Sequence, residues 1–119
     1  MKRLMGVVVM ALMAGSVWAG GWTETYSLAS GSVSVTNSQA NSAWVPVALM
    51  WKFTTNGTGT ASVSRVSQNV SFMLTSYVFT NVSSMVWVPE APFPFVFGDS
   101  LEIRSSATNG VVQVIRKGE

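Results

Sequence analysis

The chain has 119 residues, a formal net charge of +2, and neither cysteine nor histidine. The absence of thiol and imidazole excludes a cysteine nucleophile, a Ser-His-Asp triad and the usual zinc sites. It also leaves no disulfide to staple a small exported domain, so any fold must rest on its core.

The first element is a leader. Lys2 and Arg3 are followed by an uncharged stretch from Leu4 to Val17, and Val17-Trp18-Ala19 fits a small-residue cleavage site. Residues 1–19 therefore predict a signal peptide cut after Ala19. The apolar stretch is shorter than the ~20 residues of a comfortable membrane span, and a retained anchor is the rival reading. Removing 19 residues from 119 leaves 100, residues 20–119, enough for one domain. Five bases (Lys52, Arg65, Arg104, Arg116, Lys117) then balance five acids (Glu24, Glu90, Asp99, Glu102, Glu119). The positive charge belongs to the leader. Only Arg116-Lys117 cluster, at an end expected to fray, so no nucleic-acid partner is expected.

Residues 20–119 are rich in Ser, Thr and Val, a strand and turn composition. Strands are predicted near 22–28, 32–37, 44–53, 60–67, 70–80, 84–89, 93–97, 100–105 and 111–116. Alternation sets their faces. Val33 and Val35 share one side, as do Val45, Val47, Leu49, Trp51 and Phe53. Val70, Phe72, Leu74 and Val78 form a third inward set, and Leu101 and Ile103 a fourth, with Glu102 and Arg104 outward. Asn-Gly at 56–57 and at 109–110 predicts hairpin turns, because both residues tolerate positive φ. The fold expected is all-β: a single antiparallel β-sandwich or jelly-roll-like domain.

Trp-Val-Pro occurs twice, at Trp44 and at Trp87. A pre-proline residue is pushed to extended geometry, so each copy predicts a strand end capped by its indole. In "APFPFVFG", Phe93, Phe95 and Phe97 share one face, while Pro92 and Pro94 remove amide donors on one side. An edge strand or connecting segment is expected there.

Chemistry-bearing constellations are sparse. No phosphate-binding loop or nucleophile elbow occurs. Glu90, Asp99 and Glu102 are near in sequence, but Glu102 and Arg104 share one strand face and are expected to pair with each other or with solvent. A calcium site on Glu90 and Asp99 lacks the dense ligand pattern of such loops. No catalytic residue, metal or cofactor is expected. The run "FGDSLEI" before the last strands resembles a pattern of small export and virion-surface β-sandwiches, including phage structural proteins. The resemblance covers about twenty residues, is not specific, and brings no functional residues with it.

The apolar surplus is more informative. The alternation puts Trp44, Met50, Met73, Tyr77 and Phe79 opposite the core face, where a sandwich should be polar. Those five are the candidate interface, unless one bulge reverses a strand. The function expected is a secreted or periplasmic, cell-surface, non-catalytic structural or interaction protein, a subunit of an extracellular or virion-like assembly. Its partner would be a second copy or another protein subunit. The alternative is a small carbohydrate-binding module, with Trp44, Trp87, Phe93, Phe95 and Phe97 as an aromatic platform.

Overall fold

The computed structural model describes residues 21–118. The predicted signal peptide and its cleavage site lie outside the described residues. Six strands follow in order: β1 (Trp22–Ser27), β2 (Ser32–Thr36), β3 (Trp44–Ser67), β4 (Val70–Trp87), β5 (Ser100–Ser105) and β6 (Gly110–Gly118). The described residues are all-β and every pairing is antiparallel, as the alternation requires.

The strands form one curled sheet. β3 pairs with β6 through its first half and with β5 through its second. β1 lies outside β6, and β2 lies outside β5. On its other side β3 pairs with β4 alone. The topology thus reduces to four ribbons side by side: β1 with β2, β6 with β5, then β3, then β4. β3 and β4 bend together near the middle of β3.

The bend brings the two halves of the sheet face to face. Trp51 and Ala61 are ten residues apart on β3, a separation of ~33 Å in a straight strand. Tyr77 is paired with Ala61, yet its ring lies 6.1 Å from that of Trp51, edge to face. Phe53 and Phe79 stack across the same interior at 5.4 Å. A single buried cluster joins both halves, with Trp51, Phe95, Leu49, Leu101, Ile103 and Val63 among its fully enclosed members.

Two sequence features allow the bend. Gly59 has no Cβ, and Ser106 Oγ occupies the space one would need. That approach lets the Thr60 amide donate to Ser106 Oγ at 2.8 Å while the Ser106 amide donates to Thr60 O. On β4, Asn81 adopts φ 55° and its amide donates to Thr58 Oγ1. Asn tolerates that left-handed conformation better than most residues.

Several expectations are corrected. Asn56-Gly57 makes no hairpin: it lies inside the continuous β3, at register shifts against β4. Asn109-Gly110 makes none either. β5 and β6 do not pair with each other but run in succession along β3. The β3–β4 hairpin turns instead at Gln68 and Asn69, both at positive φ. Residues 93–97 are not a strand; Phe95 alone makes a bridge, to Trp44.

Two bulges account for most of the misread faces; Val70 and Phe72, expected inward, lie before the β4 slip at the hairpin end and are exposed because the core does not reach that end of the ribbon. Pro46 has no amide to give the ladder, and the register slips between Pro46 and Ala48. Trp44 is thereby turned into the core and Val47 out of it. A second slip, at Leu74, separates the pairs Val63–Thr75 and Ser64–Met73. Beyond it the faces are opposite to those expected: Phe79 is buried and Val78 exposed.

Trp51 is enclosed, but its indole nitrogen has no hydrogen-bond partner. Trp51→Ala should therefore lower unfolding free energy by about 3–5 kcal/mol in denaturant titration. Trp51→Phe should lower it by much less, because it also removes a buried, unsatisfied donor.

Candidate interaction surface

Two clusters of polar residues hold the charges that lie against the core. The first fastens the segment after β4. Asp99 has a nearly enclosed side chain and ion-pairs with Arg65 at 2.9 Å. It also accepts hydrogen bonds from Ser67 Oγ at 2.7 Å and from the Val96 amide at 3.1 Å. Beside it, buried Asn37 donates to the carbonyls of Phe95 and Ser42. Phe95 stacks on Trp44 at 4.6 Å, and the Arg65 guanidinium lies over its ring. Burial alone would raise the Asp99 pKa. The bonds from Ser67, Arg65 and the Val96 amide outweigh it and hold the carboxyl below its ordinary value.

The second cluster closes the other end of the core. Arg116 is buried between the rings of Trp22 and Trp44, at 5.0 and 4.6 Å from their centroids. It ion-pairs with Glu24, which also accepts a hydrogen bond from the Tyr26 hydroxyl at 2.7 Å. Burial, the bond to Glu24 and the charge of Glu24 push the Tyr26 hydroxyl pKa upward. Arg116 is thus a core residue rather than part of a frayed basic end. The alternation of β6 carried the signal: Val112, Val114 and Arg116 fall on one face.

Glu102 pairs with Arg104 at 3.2 Å on the outer face, as expected. The three arginines of residues 21–118 therefore each hold an acid. Outside those pairs stand only Lys52, Lys117 and Glu90 among the described residues. No group of three acidic side chains gathers to hold a metal among the described residues. A depression at the bend, lined in part by Gly31, Thr60, Ser62 and Ser106, carries Arg104 and no carboxylate.

The candidate interface divides. Met50 and Met73 are exposed, Tyr77 is half-buried against Trp51, and Trp44 and Phe79 belong to the core. The last two cannot meet a partner, because the bulges turned them inward. The aromatic platform also comes apart. Trp44, Trp87 and Phe95 are buried and Phe93 is half-buried, leaving Phe97 as its exposed member. Sequence reading missed a different set: Val78 is 86% exposed, and Phe72, Val86 and Val88 are each more than half exposed. Most of it lies along β4.

No family model matches the chain, and no curated protein matches it. Among solved structures it is similar to the Drosophila NLP core, a structure described as informing pentamer formation and histone binding. The match covers 83% of this chain and 97% of that one, at 11% identity and a TM-score of 0.52. At that identity the likeness shows the fold alone.

The Asp99 cluster makes a pH prediction. A carboxyl with a depressed folded pKa stabilises the protein above its unfolded value, near 3.9, and that stability is lost as pH falls through the folded value. Wild type should lose stability below about pH 4. Asp99→Asn should be less stable at pH 7 by on the order of 2 kcal/mol and should show a smaller decline in acid. Thermal melts from pH 2 to 7 would check both.

Proposed function

We propose that this chain is an exported, non-catalytic structural protein whose folded domain associates with further copies of itself. The observation that carries this is the surface of β4 and its neighbours. Phe72, Met73, Val78 and Val86 stand exposed on a domain with few charges outside ion pairs. Several large apolar side chains left exposed along one strand point to an interaction surface, and little net charge opposes association of like copies. The similar fold of the Drosophila NLP core, described in connection with pentamer formation, adds support for association between copies.

Histone binding does not transfer with equal support. Glu24, Asp99 and Glu102 are already paired with arginines, which leaves little acidic surface for a basic partner. Carbohydrate binding loses its support too, because three of its five platform aromatics lie in the core. Export rests on the leader sequence alone.

Two measurements test the proposal. Light scattering on residues 20–119 should show mass rising with concentration above that of one chain; a single-chain mass throughout the range would contradict self-association. Mass spectrometry of protein recovered from outside the cytoplasm should find Gly20 at the N-terminus. Intact Met1 in a membrane fraction would show that the leader is retained.

A further inference from the structure

The open edge of β4 shows how copies would meet. β4 is paired with β3 on one side only. Its other side presents 18 residues of strand. An open edge is a template for another strand, and proteins ordinarily guard it with charge, proline or shortness. The opposite edge of this sheet is guarded by shortness, being divided into β1 and β2 of six and five residues. β4 contains no charged residue and no proline. Its interruptions are the bulge at Leu74 and the left-handed Asn81. Between them Thr75 to Phe79 pair with Val63 to Gly59 without a slip.

We propose that β4 pairs antiparallel with β4 of a second copy across a two-fold axis on this regular run; this rests on the self-association proposed above. The absence of charge favours a second copy as the occupant. Self-pairing brings every charge of a strand to the contact twice, and a strand with none meets its copy without like-charge repulsion. Nor does β4 offer a charge by which a foreign strand could be steered or selected. The same contact brings exposed Val78, flanked on its face by Ser76 and Thr80, against the same face of the partner. A two-fold contact closes on itself, so larger assemblies need a second contact elsewhere on the domain.

The chain has no cysteine, so introduced thiols report cleanly. Side chains directly opposite in an antiparallel pair lie within disulfide reach. Ser76 and Val78 are exposed on the same face of the regular run. With the axis at 76, 77 or 78, the opposed positions are 76 with 76, 76 with 78, or 78 with 78. Ser76→Cys alone, Val78→Cys alone and an equimolar mixture therefore cover the three registers. Under mild oxidation one of them should give a linked dimer in high yield. In parallel, Val78→Lys should weaken association about tenfold or more by placing a charge on the edge. Its circular dichroism should be unchanged, because the side chain is 86% exposed.

Cross-linking of Val78→Cys to Thr25→Cys or Ser34→Cys, on the opposite edge, would instead show head-to-tail packing and overturn the two-fold contact. If no thiol combination links and Val78→Lys associates like wild type, the copies meet elsewhere. The β4 contact is then wrong while self-association stands. A wild type that is monomeric at every concentration removes both.

Discussion

Everything in this fold depends on β3 being paired along both sides and bent in its middle. Its first half is flanked by β6 and its second by β5, with β4 opposite both. Because those neighbours follow the bend, one sheet supplies both walls of the core. Gly59 permits the fold line through its missing side chain, and the Thr60–Ser106 hydrogen bonds hold it. Trp51, Tyr77, Phe53 and Phe79 then meet across the interior. With no disulfide, that burial is the main source of stability, at roughly 25 cal/mol per Å² of apolar surface.

The same geometry decides what the surface can do. Closing the core draws Arg65 and Arg116 against aromatic rings, where each takes an acid as its partner. A charge that stays in the core needs such a partner, because an unpaired buried charge is severely destabilising. The outside is left with few free charges. The two sheet edges are also unequal, one broken into short strands and one continuous. Long, uncharged and carrying exposed Val70, Phe72, Met73, Val78 and Val86, β4 is the part of the molecule least suited to water. The proposed assembly follows from that inequality rather than from any cleft.

Much of the fold could be read from the chain. Val33 with Val35, Leu101 with Ile103, and Leu49, Trp51 and Phe53 all point inward as simple alternation requires. The Glu102–Arg104 pair was legible for the same reason. Where alternation misled about Trp44, Val47, Val78 and Phe79, a bulge lay between the counted residues; Val70 and Phe72 were misread for another reason, lying at the hairpin end beyond the core. Pro46 gave some warning of the first bulge, since a proline within a strand points to an edge or a bulge. Leu74 gave none, and the faces of β4 beyond it were inverted. The Asn-Gly pairs also misled. Local turn chemistry could not show that a neighbouring ribbon continues past them, since that depends on pairings between distant segments. Arg116 looked terminal in sequence and is central in space, because β6 is sandwiched between β1 and β3.

The most direct test of the central claim, that the open edge of β4 is where copies meet, is backbone hydrogen exchange measured over a range of protein concentrations. Amides on the outer side of Thr75–Thr80 should exchange quickly in dilute protein and slow progressively as concentration rises. Those on the outer sides of β1 and β2 should keep one rate throughout. Equal rates along β4 at all concentrations, or protection rising in β1 and β2 instead, would contradict the account.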